Sequence, residues 1–147
     1  MNEVKIGITL GYLAVCSWFD LKERKLPVWL LMMGVAAGAA VQSLSVAAGE
    51  FRGIEIFLAV LPGGLLLVLS RLAPKQIGSG DGWMVLGTGS VTGAEIYLYL
   101  EASFLLMMIP AFWLAVIKKQ RNRELPLAPF LLGGTVLVQV MRWSVWG

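Results

Sequence analysis

The sequence predicts an all-α fold: a polytopic membrane helix bundle of about six transmembrane helices, with the fourth short and broken. Three observations predict it. Hydrophobic residues make up 58% of the 147 and charged residues 14%, with a mean hydropathy of +0.78, which is too apolar for an ordinary soluble domain of this length. Apolar runs long enough to cross about 30 Å of hydrocarbon recur along the chain. Short basic blocks separate them, as in the loops of membrane proteins.

The first span is expected at about Val4 to Phe19, the second at Val28 to Ala48 and the third at Ile54 to Ala73. Inside the third falls "LPGG", Leu61 to Gly64, where proline removes a backbone donor and glycines permit bending or close helix contact. A weaker segment, Trp83 to Val91, precedes full spans at Gly93 to Ile117 and Leu127 to Val145. As one helix, Asp81 to Ile117 would run about 55 Å, too long for a comfortable crossing. "GTGSVTG", Gly87 to Gly93, is expected to break it, because glycines and β-branched hydroxyl residues are poor helix formers. A short helix, a turn and a full span result.

Six crossings put "KERK" (Lys22 to Lys25), Arg71 with Lys75, and "KKQRNR" (Lys118 to Arg123) on one side. Nine of the twelve basic residues then share that side, with Lys5, Arg52 and Arg142 opposite. The positive-inside rule makes it the cytoplasmic side and leaves both termini outside. Five of the six tryptophans, Trp18, Trp29, Trp83, Trp143 and Trp146, fall near expected helix ends, where an amphipathic ring suits the headgroup level. The N-terminus has no cleavable-signal pattern and is expected to be retained. With no internal repeat, residues 1–147 are expected to form a single membrane-embedded domain.

Composition narrows the chemistry. There is no histidine and one cysteine, Cys16, so an internal disulfide framework, paired-cysteine metal sites and Ser/His or Cys/His catalysis are all excluded. No metal or organic cofactor is expected. The basic residues sit in loop blocks, so nucleic acid is not an expected partner. Any hydrolysis would have to use carboxylates.

Only two residues are aspartate, Asp20 and Asp81, and both are expected at helix ends. Between them the chain crosses out and back, which returns it to the same face. Asp81 reads alone as the N-cap of a helix starting at Gly82. Asp20 would oppose the dipole of the helix it ends, and alone it reads as a loop residue paired with Lys22, Arg24 or Lys25. Together they suggest more. Two close carboxylates in a low-dielectric site cannot both ionise easily, so one keeps its proton while the other acts as base. The ionised member can take a proton from attacking water, and the protonated one can hydrogen-bond the oxyanion that develops on a peptide carbonyl. Gly78, Gly80 and Gly82 would then permit unusual backbone angles and close approach of a substrate strand to Asp81. Paired membrane carboxylates also serve proton or cation relays, so a small transporter subunit is the competing class.

The remaining polar residues have quieter readings. Glu95 and Glu101 are expected to snorkel or to hydrogen-bond within the bundle. Ser17, Thr88, Ser90 and Thr92 are expected to satisfy helix carbonyls or cross-helix bonds. Cys16 is expected to pack as a small core residue.

Three stretches resemble the type IV prepilin peptidases, membrane-embedded GxGD aspartyl peptidases with presenilin-like relatives. "DLKERKLP", Asp20 to Pro27, resembles that family's first-aspartate motif and "GSGD", Gly78 to Asp81, its second; "LPLAPFLLGG", Leu125 to Gly134, is similar to the lead-in to its last helix. The resemblance implies that Asp20 and Asp81 are the catalytic dyad, facing the cytoplasm from the inner membrane. It also implies prepilin-like single-helix membrane precursors as partners, cut between a short basic leader and a hydrophobic helix for pilus, secretion or competence assembly. Gly82, Trp83 and Val28 stand where many relatives have a hydrophobic residue, lysine and asparagine. The cysteine-rich insertion linked with N-methylation is missing, so cleavage without methylation is expected. An inactive member that scaffolds pilin assembly would share these motifs.

Overall fold

The computed structural model describes residues 2–23, 25–49, 53–73, 78–116 and 125–146. Arg24, Arg52, Lys75, Glu124 and the block Lys118 to Arg123 lie outside the described residues. Among the described residues there are six α-helices: α1 (Asn2–Glu23), α2 (Val28–Ala47), α3 (Gly53–Leu72), α4 (Ser79–Thr92), α5 (Ile96–Val116) and α6 (Leu127–Trp146). Among the described residues five segments are long and apolar enough to cross a membrane, and one of these, Ser79–Leu114, contains α4 and most of α5. The chain is a multi-pass membrane protein.

Gly93 divides that segment. Its φ of 69° and ψ of −141° belong to a region that residues with a β-carbon avoid, and a single 3-10 turn, Gly93–Glu95, leads into α5. Side-chain pairing shows that the chain reverses there. Gly80, at the start of α4, lies by Leu26 in the α1–α2 connection, while Gly87 lies by Gly34 farther along α2, so α4 runs parallel to α2. Beyond the turn, Glu95 meets Arg142 near the end of α6 and Tyr99 meets Gln139, whereas Leu106 meets Gly133. α5 therefore runs back toward the start of α6.

The break is shorter than the composition of "GTGSVTG" predicts. α4 stays helical through Thr92, and Thr88, Ser90 and Thr92 each donate to the carbonyl four residues earlier at 2.8 to 2.9 Å. The glycines serve packing instead. Gly87 and Ser90 meet Gly34 and Gly38 of α2, a β-carbon at Gly89 would collide with the Ala59 carbonyl of α3, and one at Gly63 would lie 2.5 Å from the Leu86 backbone. Lipid tails are as apolar as leucine, so close backbone approach through small residues is a principal source of helix adhesion in a membrane. With 14 residues, α4 spans only about 21 Å. Wedged between α2 and α3, it is the most buried helix of the bundle.

One core unites the rest. Leu13 and Cys16 of α1, Leu30 and Leu31 of α2, Met84 and Val85 of α4, Ile96, Tyr99 and Leu100 of α5, and Leu127, Ala128 and Leu131 of α6 form a single buried cluster. α3 continues through Pro62, which is buried with Gly63.

Candidate active site

The buried core supplies a ruler for both aspartates. Asp20 lies one turn beyond Cys16 on α1, and Asp81 one turn before Val85 on α4. Cys16 and Val85 share the buried core, and Leu26 of the α1–α2 connection lies against Gly80 beside Asp81, so both carboxylates lie at the end of the bundle where α1 finishes and α4 begins.

Asp20 is not the loop residue that its neighbouring lysines suggest. α1 continues to Glu23, and Thr9, Leu13, Cys16 and Asp20, spaced at helical intervals, are all buried, Asp20 to 8% exposure. Among the described residues it has no ion pair; its Oδ2 accepts a hydrogen bond from the Ala128 amide at 3.2 Å. The donor exists because first-turn amides have no partner within their own helix, and Pro129 beside it has no amide to offer. The start of α6 also carries the positive end of its dipole, which favours a carboxylate.

Asp81 is not an N-cap either. α4 begins three residues earlier than the sequence suggests, with Gly78 in the cap position, and the Asp81 amide donates to the Gly78 carbonyl at 3.2 Å. The carboxylate occupies the first turn, where the dipole still favours it. Its Oδ2 lies 3.6 Å from where a Gly78 β-carbon would sit.

The glycines around it differ in use. Among the described residues only Gly49 and Gly93 have positive φ, so Gly78, Gly80 and Gly82 adopt no unusual backbone angle. Gly78 is exposed and Gly80 half-buried beside Leu26, but Gly82 is buried against α3, where a β-carbon would lie 2.9 Å from the Leu67 backbone nitrogen. Helix packing thus accounts for Gly82.

Three separate stretches meet at this end. Leu26 packs over Gly80, joining "DLKERKLP" to "GSGD", and the Asp20–Ala128 bond joins the first to "LPLAPF". Phe19 and Trp29 brace α1 against α2 edge-to-face at 6.0 Å. Trp18, Trp29 and Trp83 are exposed around the same end. The Ala128 amide is the contact that side-chain reasoning missed, because any residue but proline could provide it. Its signal was the helix start itself, marked by Pro126 and Pro129.

A second polar cluster occupies the opposite end. Arg142 pairs with Glu95 at 2.8 Å, and the Tyr99 hydroxyl donates to Glu95 at 2.7 Å while receiving Gln139 at 2.8 Å. Glu95 thereby finds the bundle hydrogen bond expected of it, whereas Glu101 is exposed. Among the described residues no three cysteine or acidic side chains gather as a metal site.

Two carboxylates at one end, one buried on a helix amide and the other in a helix first turn, can divide the roles of base and acid on a polar substrate at the membrane boundary. No curated protein and no solved structure matches the chain significantly. The type IV leader peptidase family matches residues 7–117, a stretch that holds both aspartates and α2 through α5. By that match, the chain belongs to the type IV leader peptidase family.

Proposed function

We propose that the chain is an aspartyl endopeptidase of the GxGD type, with Asp20 and Asp81 as its dyad. It removes the short basic leader of prepilin-like precursors at the cytoplasmic face of the inner membrane. What supports this reading is that the stretches carrying Asp20 and Asp81 meet through Leu26 and Gly80 at one end of the bundle, in a member of a leader peptidase family. The ionised carboxylate takes a proton from water as the water oxygen attacks the scissile carbonyl. The other carboxyl hydrogen-bonds the oxyanion. Collapse breaks the carbon–nitrogen bond as a proton passes to the departing amine. Residues 1–147 act as one membrane domain, and the mature helix stays in the bilayer.

The exposed Gly78 and half-buried Gly80 leave room for a substrate backbone beside Asp81. Co-expression with a prepilin-like precursor in cells lacking their own leader peptidase tests the reading. Shortening of the precursor is expected with the wild-type chain and not with Asp20→Asn or Asp81→Asn. Full processing by either variant would refute the dyad, and precursors bound yet left intact by the wild type would mark an assembly scaffold.

A further inference from the structure

Most buried hydroxyls in this bundle are spent on their own helix. Thr9, Thr88, Ser90, Ser103 and Thr135 each donate to the carbonyl four residues back, and Ser70 to the one three residues back. Ser17 departs from the pattern. It is 6% exposed, and among the described residues its Oγ has no hydrogen-bond partner, although it was expected to satisfy a helix carbonyl or a cross-helix bond. Ser17 and Asp20 stand three apart on α1, so their side chains are neighbours on one helix surface. A hydroxyl buried without a partner is destabilising, more so where no bulk water reaches it. Buried waters occur where several polar groups can hold them.

We propose that Ser17 is a positioning residue for Asp20, holding a water that hydrogen-bonds the Asp20 carboxylate. This rests on the reading of Asp20 as a member of the catalytic pair. The Ala128 amide fixes Oδ2 from the α6 side; the Ser17 water supports the carboxyl from within α1. The hydroxyl suits the task because it donates and accepts, and so serves either protonation state of the carboxyl. Ser45 provides the control: it is fully buried with an equally unpartnered hydroxyl, but it lies near the end of α2 remote from both aspartates.

The test has two arms. In the first, Ser17→Ala is expected to lower kcat for precursor cleavage about tenfold with KM unchanged, the scale of one hydrogen bond to a charged group. Ser17→Thr restores kcat by returning the hydroxyl, and Ser45→Ala leaves it unchanged. The second arm needs no activity. The chain has only two aspartates, so protein made with isotope-labelled aspartate and carrying Asp81→Asn reports the infrared carboxyl band of Asp20 alone. Adding Ser17→Ala is expected to shift that band, and adding Ser45→Ala is not. An Asp20 band indifferent to Ser17→Ala overturns the proposal, even if the chain proves to be no peptidase. A shifted band with no cleavage by the wild type leaves the positioning intact and removes the proposed reaction.

Discussion

At one end of the bundle Glu95 is held by Arg142 and by Tyr99, whose hydroxyl in turn receives Gln139; at the other, Asp20 receives one backbone amide from α6. Asp20 stands near the end of α1 and Glu95 in the turn that enters α5, and α1 and α5 both pack against α6. A carboxylate matched by a guanidinium and a phenol has its charge balanced and its acceptors engaged, which suits it to joining α5 to α6. One buried on a single neutral donor keeps acceptor capacity for something else. The comparison teaches that the same side-chain chemistry is structural at one end and reserved at the other, the partners making the difference.

The largest contrast should come from neutralising each carboxylate. Asp20→Asn is expected to reduce precursor cleavage at least about a thousandfold, as loss of a central catalytic group does, with little change in thermal stability. Arg142→Gln should do the reverse, lowering stability by up to about 1 kcal/mol because both partners are partly exposed, with cleavage per folded molecule kept. Purified variants compared by melting and by precursor cleavage check both. Equal effects on activity would mean that the two ends are not separate in function.

Next in size is Gly89→Ala. The added methyl would meet the Ala59 carbonyl, a backbone atom that cannot swing aside, so a loss of about 2 to 3 kcal/mol is expected from overpacking. Denaturant titration in detergent measures it. A neutral outcome would show that α4 is not wedged against α3 there.

These variants also mark where sequence reasoning reached and where it stopped. Crossing parity needs only the two spans between Asp20 and Asp81, and α2 and α3 are both long and apolar enough to cross a membrane, so their hydrophobicity made a shared end for the two aspartates legible. The run Gly87 to Thr92 misled, since glycine's low propensity is measured in isolated helices and says nothing of a helix squeezed between two others. The Glu95–Arg142 pair was hidden by its separation along the chain. Asp20's contact with Ala128 was hidden because a backbone amide has no signature in residue identity. The bond expected of Thr88, Ser90 and Ser17 alike is made within the helix by the first two but, among the described residues, by Ser17 not at all.

A smaller effect is expected of Tyr99→Phe. Its hydroxyl links Glu95 to Gln139, so removal should lower stability by about 1 to 2 kcal/mol and leave cleavage untouched. A drop in kcat larger than the loss of folded protein would reveal that the far clamp sets the placement of α6, and so the amide on Asp20.

The smallest effect on stability, and the sharpest on the role of the glycines, belongs to Gly78→Ala. Gly78 has a φ of −70°, which alanine adopts freely, and its β-carbon would make ordinary contact with Asp81 Oδ2 at 3.6 Å. Stability should therefore move by no more than about 0.5 kcal/mol. If a substrate backbone passes over Gly78 to reach Asp81, the same methyl raises KM for the precursor several-fold while the melting temperature stays put. If KM also stays put, the room beside Asp81 is not used, and the glycine serves only the turn into α4. Gly82→Ala cannot decide this, because its methyl would press on the Leu67 backbone and disturb the fold first. Gly78 is thus the position where access and packing separate.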